Sequence, residues 1–263
     1  MINPVLELLV IGMVVAFLVM SILLLVQRKS GNAGIVDIGW SGTIPLLVIV
    51  AAWQQLPELT SRTMLALTMA ILWGGRLVWH IHRRSHGKPE DGRYAELRRA
   101  WGNQAQVKFF VFFQFQAVAA VIFGLPFFAA IVNPETSLHP LEYAGFGLWL
   151  LAWLGEGAAD RQLARFKRDP SSKGKVCEAG WWNYSRHPNY FFEWLIWVAL
   201  ALFAWPSPYG AWAIVCPVLM LFFLFKLTGI PATEEQALKS KGDAYRLYQK
   251  TTSSFVPWPK RSV

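Results

Sequence analysis

Four ionisable side chains lie inside stretches of this sequence that are otherwise apolar. They are Asp37, Arg76, Glu156 and Glu193. A charged group inside a bilayer is costly, so each of the four is a candidate functional residue. A long arginine can snorkel to the membrane interface, whereas an aspartate or a glutamate reaches less far. The residue types alone leave both readings open: a polar site within the membrane, or side chains that only reach its edge.

A polar stripe surrounds Pro188, a residue that suits the first turn of a helix because its missing N–H needs no partner there. Counting from Arg186, the spacing i, i+3, i+4, i+7 reaches three further polar residues on the same helix face. They are Asn189, Tyr190 and Glu193. Such a stripe at the start of an apolar helix needs polar partners or a polar ligand.

A second stripe lies earlier in the chain. Glu156, Asp160 and Lys167 follow the spacing i, i+4, i+11, which predicts one helix face. Arg161, Arg165 and Arg168 surround them, and Lys173-Gly174-Lys175 follows in a loop. The pattern is typical of a solvated basic helix end, and equally of a wall that binds phosphate and offers acceptors to a ribose or a base.

Metal chemistry is not expected. His82 and His86 stand four residues apart, but no carboxylate or cysteine spacing completes a metal site. The glycine-rich motifs of dinucleotide-binding and P-loop folds are absent from the sequence. The two cysteines, Cys177 and Cys216, provide no disulfide framework.

The elements that carry these residues are predicted to be membrane helices. The chain is 54% hydrophobic and 16% charged, and a span needs about 20 apolar residues. Seven stretches qualify: 5–26, 35–53, 63–82, 109–131, 141–159, 190–205 and 208–228. The first is too long for a cleaved signal peptide and lacks a basic n-region. We therefore expect an all-α fold, a bundle of seven transmembrane helices that forms a single domain over residues 1–263.

The charge pattern predicts the orientation. From the segment after the first span to the tail, the counts of Lys and Arg between spans are 2, 1, 7, 0, 7, 0 and 6. The positive-inside rule places the N-terminus outside and the C-terminus in the cytoplasm. The net charge of +9 is then a topology signal rather than a sign of nucleic-acid binding. The four intramembrane ionisable residues fall in the cytoplasmic half of their spans.

Several motifs together resemble the membrane steroid 5-alpha-reductase-like superfamily, and most closely its bacterial multi-pass branch. The resemblance covers nearly the whole chain. It rests on Ser185-Arg186-His187-Pro188-Asn189-Tyr190 with Glu193, on Val36-Asp37-x-x-Trp40, on Asp91-x-Arg93-Tyr94, and on the tail from Gly229-Ile230-Pro231 through Glu235 and Tyr248 to Pro257.

The resemblance implies a seven-helix bundle that binds NADPH from the cytosolic side. In the superfamily, polar residues of the fifth and sixth helices and of the loop between them hold the nucleotide. By motif position the implied cofactor residues are Glu156, Asp160, Lys167, Lys175, Arg186, His187, Asn189, Tyr190, Glu193, Glu235 and Tyr248.

The resemblance also implies a carboxylate early in the second helix and a tyrosine in the third, which hold the substrate carbonyl. The position of Gln55 also resembles that of the family carboxylate in local sequence, but it lies at the outer end of the second span. Asp37 lies at the expected depth and is assigned the carboxylate role. Trp40 and Arg76 are expected to assist Asp37. Trp73 stands where the tyrosine is expected, which departs from steroid reductases.

The implied reaction is the NADPH-dependent reduction of a carbonyl-conjugated C=C bond in a steroid or lipid. The alternative is a membrane methyltransferase of the isoprenylcysteine carboxyl methyltransferase type, which shares an Arg-His-Pro-x-Tyr motif and uses S-adenosylmethionine. A lipid-binding or assembly protein without activity is a third reading. The expected partners are a hydrophobic small molecule and membrane lipids, with no nucleic acid and no obligate protein. The location would be multi-pass in a membrane, the inner membrane if the source is bacterial.

Overall fold

The computed structural model describes residues 3–57, 59–227 and 229–262, and this part of the chain is all-helical, as predicted. Its ten α-helices are α1 Pro4–Ser30, α2 Ile35–Trp53, α3 Ser61–Ser85, α4 Gly92–Trp101, α5 Ala105–Ile131, α6 Pro140–Arg168, α7 Pro188–Ala204, α8 Val215–Phe222, α9 Ile230–Lys241 and α10 Asp243–Thr251. A π-helical turn, Phe223–Leu227, continues α8. Short 3-10 turns are Gly102–Gln104, Pro170–Ser172, Gly180–Asn183 and Gly210–Ile214.

Among the residues that the structure describes, five helical segments are long and apolar enough to cross a membrane. They are Pro4–Ser30, Ile35–Trp53, Ser61–Ser85, Gly92–Ile131 and Gly210–Lys241. The helix α7 is apolar but shorter, and α6 is long but less apolar. The chain is therefore a multi-pass membrane protein, while the count of seven spans and the orientation of the termini stay predictions.

The chain divides into two compact units. The first unit combines residues 1–139 with 204–213, and the second combines 140–203 with 214–263. The helices α1 to α5 belong to the first unit, and α6 to α10 belong to the second. The single domain over residues 1–263 stays a prediction.

In the first unit, α1 packs against α5 and α2. The Asn3 side chain caps its start by accepting a hydrogen bond from the Val5 N–H at 3.0 Å, and Gly31 ends it in the left-handed region at φ 69°. Its buried residues include Leu8, Gly12, Ala16, Met20 and Leu24, one per turn. The opposite face is exposed yet apolar, as Val10, Val14, Leu18 and Ile22 illustrate. A helix that is apolar on both faces suits contact with lipid.

The helices α2 and α3 approach closely at a proline in α2. A Cβ on Gly74 would lie 2.6 Å from Cγ of Pro45 and 2.8 Å from the Ser41 carbonyl oxygen. Pro45 has no N–H, so it cannot bond to that carbonyl within the helix. Glycine at position 74 thus allows α3 to pack directly on the point where the α2 hydrogen-bond ladder is interrupted.

In the second unit, glycines let α6 and α7 pack backbone to backbone. A Cβ on Gly145 would lie 2.6 Å from the Phe203 backbone nitrogen. One on Gly155 would lie 2.5 Å from the Phe192 ring. Small residues at helix contacts are typical of membrane helix pairs. This contact sets the position of α7 and of the polar residues in its first turns.

The tail folds back onto the segment just before α7. Ser185 forms an isolated parallel β-bridge with Ser253, and the Arg186 N–H donates to the Ser253 carbonyl at 2.8 Å. The Trp258 N–H donates to the Tyr184 carbonyl at 2.9 Å. The tail contains the helices α9 and α10, and its contacts with Tyr184, Ser185 and Arg186 fix the segment that leads into α7.

Candidate functional site

Asp37 lies in the first turn of α2, where a negative charge is favoured by the helix dipole. Its Oδ1 accepts a hydrogen bond from the Tyr94 hydroxyl at 2.6 Å. Its Oδ2 accepts one from Nη2 of Arg93 at 3.1 Å. Both donors lie on α4, so the two oxygens of Asp37 join the start of α2 to the start of α4. The geometry is that of a carboxylate held by a hydroxyl and a guanidinium.

Arg93 connects Asp37 to a second carboxylate. Its Nε donates to Oδ1 of Asp91 at 3.0 Å and its Nη2 donates to Oδ2 at 3.2 Å, a bidentate pair. Burial acts to raise the pKa of Asp91, but the hydrogen bonds from Arg93 and its charge outweigh burial, so the pKa lies below its ordinary value. The Asp91 side chain also caps α4 through the Arg93 N–H. Arg93 is therefore held in place on both sides.

Tyr94 is the site residue that the sequence analysis did not assign. It is 4% exposed, and its hydroxyl lies against Asp37. Trp73, where a tyrosine was expected, is fully buried and packs edge-on against Trp40 at 5.8 Å. Trp40 also packs edge-on against Phe123 at 5.5 Å. The motif Asp91-x-Arg93-Tyr94 carried the signal for Tyr94, but its sequence distance from Asp37 concealed the contact.

A second ion pair holds the loop in front of α2. Oε1 of Glu90 accepts from the Ala33 N–H at 2.7 Å and from Nη2 of Arg98 at 2.8 Å. Nη2 of Arg98 also donates to the Gly31 carbonyl at 3.0 Å. Burial acts to raise the pKa of Glu90, but the bonds from Arg98 and Ala33 lower it overall. This pair fixes the direction in which α2 begins, and hence the position of Asp37.

In the second unit, two predicted cofactor residues meet between α6 and α7. The Asn189 side chain donates to Oδ1 of Asp160 at 3.4 Å. Glu156 lies one turn before Asp160 and is 5% exposed. Oε1 of Glu193 accepts from Nε1 of Trp197 at 2.9 Å, within α7. The two predicted stripes thus lie on neighbouring helices, with carboxylates on both.

Arg186 and His187 contact a glutamate of the tail, Glu234, which was not among the predicted site residues. Oε1 of Glu234 accepts from Nε of Arg186 at 2.7 Å and lies 3.2 Å from Nε2 of His187. Its Oε2 accepts from the Gln249 side chain at 2.8 Å. Glu235 is exposed and pairs with Lys239 on its own helix. The adjacent glutamates differ because only Glu234 faces the start of α7.

Arg186 also binds the tail backbone. Its Nη1 donates to the carbonyls of Gln249 at 2.9 Å and Thr252 at 2.8 Å. The His187 ring stacks on the Tyr190 ring, with centroids 5.3 Å apart. The guanidinium therefore joins α7, α9 and α10 in one network.

Tyr248 is buried, and its hydroxyl donates to the Trp182 carbonyl and, at 3.1 Å, to the Ser185 carbonyl. Burial raises the pKa of Tyr248, so the hydroxyl keeps its proton. The Trp182 indole N–H donates in turn to the Ala159 carbonyl of α6 at 2.9 Å. Tyr248 thus holds the segment between α6 and α7 against both α6 and the tail.

Lys167 and Lys175 line a cavity of about 520 Å³ at the end of α6. Three further cations line it: Arg168, Lys173 and Lys241. In the part of the chain that the structure describes, no group of three or more His, Cys, Asp or Glu residues is arranged to hold a metal ion.

Residues 23–252 match the family model described as "Protein of unknown function (DUF1295)". The chain belongs to the DUF1295 family. This family is placed in the steroid 5-alpha-reductase-like superfamily, so the superfamily resemblance of the motifs is confirmed at that level. In this DUF1295 protein the matched range contains both the Asp37–Tyr94 pair and the Arg186–Glu234 network.

Two relatives of this DUF1295 protein come from the fission yeast Schizosaccharomyces pombe. The uncharacterized protein C594.04c is 24% identical, over 94% of this chain and 79% of the relative. The uncharacterized protein C9.08c is 30% identical, over 36% of this chain and 42% of the relative. No solved structure matches the chain. The bacterial branch stays a prediction.

Proposed function

We propose that the protein is an NADPH-dependent membrane reductase that acts on a C=C bond conjugated to a carbonyl in a steroid or lipid. The observation that carries the proposal is the 2.6 Å hydrogen bond between the Tyr94 hydroxyl and Asp37. Reduction of an enone places negative charge on the carbonyl oxygen, and a positioned donor stabilises that charge. The pair supplies such a donor, and Arg93 supplies the positive charge beside it.

The proton balance of this chemistry assigns roles to both residues. With substrate bound, Tyr94 would donate its hydroxyl proton to the substrate oxygen, while Asp37 and Arg93 position the Tyr94 side chain. When that proton passes to the substrate oxygen an enol forms, and Tyr94 regains a proton from solvent. The enol then loses its O–H proton and gains one at the adjacent carbon, which completes the reduction of the C=C bond. Afterwards the Asp37 side chain again accepts from Tyr94 and Arg93, the arrangement in the structure. Bound NADPH would supply the hydride.

The second unit offers residues that suit a phosphate-bearing nucleotide. Five cations line one cavity, among them Lys167 and Lys175. The Asp160–Asn189 pair offers an acceptor and a donor of the kind that ribose hydroxyls bind. Glu156, Tyr190 and Glu193 remain proposed cofactor contacts, and Arg186, His187 and Tyr248 would position them from the tail network.

The proposal includes the orientation in which seven spans place the basic segments in the cytoplasm. Nucleotide would then enter from the cytoplasm. Trp40 packs near the start of α2 and would shape the substrate pocket, as Arg76 on α3 would. An S-adenosylmethionine-dependent methyltransferase is the competing activity, and the cofactor distinguishes the two.

The test uses the full chain in detergent or nanodiscs. We expect NADPH to raise the thermal unfolding midpoint, and S-adenosylmethionine to leave it unchanged. Tyr94→Phe should lower turnover of an enone by about 10²–10³-fold, since the donor to the oxyanion is lost. Asp37→Asn should also lower turnover, because Tyr94 loses the carboxylate that positions its hydroxyl. Both should bind NADPH normally. Asn189→Ala should instead weaken NADPH binding at least tenfold, about 1.4 kcal/mol.

Tyr143→Phe is the matched control, because Tyr143 is 62% exposed on α6. It should turn over as the unmodified protein does. Normal turnover in a stable, cofactor-binding Tyr94→Phe protein would remove the pair from the mechanism. Stabilisation by S-adenosylmethionine alone would overturn the reductase and favour the methyltransferase.

A further inference from the structure

An aromatic cluster holds the tail against the start of α7. The buried Phe255 ring packs edge-on against the rings of Phe191 and Trp194, with centroids 5.7 and 5.8 Å apart. It also packs edge-on against Phe225, at 5.2 Å, in the π-helical turn that continues α8. Phe191 and Trp194 lie in the first two turns of α7, and Phe225 belongs to a segment that is apolar enough to cross a membrane. Phe255 therefore lies at the depth of membrane helices.

The backbone around Phe255 is fixed as well. The Ser185 hydroxyl donates to the Phe255 carbonyl at 2.7 Å. Three residues later, the Trp258 N–H donates to the Tyr184 carbonyl at 2.9 Å. The segment 255–258 is thus bonded at both of its ends to the residues that lead into α7, so its position beside the start of α7 is defined.

The side chains next to Phe255 are exposed although they are apolar or aromatic. Trp258 is 66% exposed and Val256 is 51% exposed. The segment before α7 adds Trp181 and Tyr184, which are also exposed. Tryptophan and tyrosine combine an apolar ring with one polar N–H or O–H, and they are enriched where a membrane meets water. In water alone, these four side chains would leave a hydrated apolar surface, which is unfavourable.

Cations accompany the exposed aromatic residues. Lys260 and Arg261 come two and three positions after Trp258. The Lys260 ammonium forms a salt bridge with Glu178, whereas the Arg261 side chain is exposed. A cation beside interfacial aromatic rings is complementary to the phosphate groups of phospholipids.

We propose that Trp181, Tyr184, Val256 and Trp258 form a membrane anchor, the tail anchor, which lies in the headgroup region of the bilayer where α7 begins. The bilayer is the partner of this surface because Phe255 sets the anchor at the depth of membrane helices. The anchor is a property of the chain in its membrane whatever reaction the protein catalyses, so it goes beyond the reduction proposed above.

The experiment measures the depth of the tail anchor with a nitroxide spin label on Val256→Cys. The full-length protein is placed in nanodiscs of phosphatidylcholine and phosphatidylglycerol. Power saturation compares accessibility to oxygen, which partitions into the bilayer, with accessibility to a water-soluble nickel chelate. Lys250→Cys on α10 is the aqueous control, and Val14→Cys on the exposed apolar face of α1 is the bilayer control. The native Cys177 and Cys216 are buried, and the protein without an added cysteine gives their background.

We expect the label at Val256→Cys to lose accessibility to the nickel chelate relative to Lys250→Cys. Its accessibility to oxygen should stay below that of Val14→Cys, because the headgroup region lies between water and hydrocarbon. Circular dichroism and the unfolding midpoint confirm that each variant is folded. If Val256→Cys does not fold, Tyr184→Cys reports on the same anchor from the segment before α7.

Trp258→Ala in the Val256→Cys protein tests whether the indole ring holds the anchor at the interface. We expect the nickel accessibility of the label to rise toward that of Lys250→Cys. Trp258→Tyr should keep the label shielded, since tyrosine is also an interfacial residue.

Two results would overturn the proposal. In one, the label at Val256→Cys is as accessible to the nickel chelate as the label at Lys250→Cys. In the other, Trp258→Ala leaves the label as shielded as before. Neither measurement uses NADPH or a substrate, so both are independent of the tests of the proposed reductase.

Discussion

Glu90 shows how one residue holds a functional element in place. Its carboxylate accepts from the Ala33 N–H in front of α2 and from Arg98 on α4. Ala33 lies four residues before Asp37. The Glu90–Ala33 hydrogen bond therefore helps to fix where the first turn of α2 begins. Glu90 has no direct bond to Asp37 in the described structure, so its effect acts through the backbone.

The lowered pKa of Glu90 predicts a pH dependence of stability. The folded state binds a proton on Glu90 less tightly than the unfolded state, whose carboxyl has the ordinary pKa of 4.5. Its stabilising contribution is therefore present above about pH 4.5 and is lost as the pH falls through the lower, folded pKa. Glu90→Gln should lower the unfolding midpoint at pH 7, and the two curves should converge in acid.

The measurement is thermal unfolding of the detergent-purified protein between pH 7 and pH 3.5, with Glu96→Gln as the control. Glu96 is exposed on α4, the helix that begins just after Glu90. A difference between Glu90→Gln and the unmodified protein that stays constant with pH would contradict the assignment.

Tyr248 has a structural role that can be separated from cofactor binding. Its hydroxyl donates to two buried carbonyls between α6 and α7. Tyr248→Phe leaves these acceptors unsatisfied, which we expect to destabilise the protein by about 1–3 kcal/mol. Limited proteolysis should then cut the tail more readily.

Tyr184→Phe is the control, since Tyr184 is 44% exposed. Unchanged stability with impaired NADPH binding in Tyr248→Phe would instead support the cofactor contact that the superfamily resemblance implies.

At the scale of elements, the contact between α6 and α7 depends on Gly145. A Cβ there would approach the Phe203 backbone nitrogen and Cα at 2.6 and 2.8 Å, and the backbone cannot yield as a side chain can. We expect Gly145→Ala to separate the helices and to destabilise the protein by about 1–3 kcal/mol.

Gly147 provides the matched control on the same helix. A Cβ at this position meets nothing within 4 Å, so Gly147→Ala should be neutral or slightly stabilising through helix propensity. Unfolding midpoints of the two variants decide the matter, and equal midpoints would show that the close approach is unimportant.

At the scale of the whole molecule, the alternation of basic segments predicts that the tail after residue 229 is cytoplasmic and the N-terminus is not. The three segments with seven, seven and six cations alternate with segments that have one cation or none. This alternation determines orientation during membrane insertion, because basic segments stay in the cytoplasm. Reporter fusions at each terminus measure this directly. If a C-terminal reporter is active only on the outer side, the predicted orientation is wrong. A nucleotide in the cytoplasm could then not reach the basic cavity at the end of α6.

The sequence alone determined the helical class and most element boundaries, because apolar length and period depend on local residue order. The helix across Glu156 to Lys167 and the first helical turn at Pro188 were both predicted. Composition also indicated a membrane protein, because every helix that spans a bilayer needs a long apolar stretch whatever the fold.

Only the tertiary structure decided which polar residues meet. Tyr94 bonds to Asp37 across 57 positions, and Arg186 bonds to Glu234 across 48. Neither separation follows from the repeat of a helix or a strand, and Glu234 and Glu235 are the same residue type. Such pairs depend on how the helices pack, which the order of neighbouring residues does not reveal. Long-range contacts therefore placed the Tyr94 hydroxyl beside Asp37, whereas Trp73 has no hydroxyl to offer, and added Lys241 to the basic cavity.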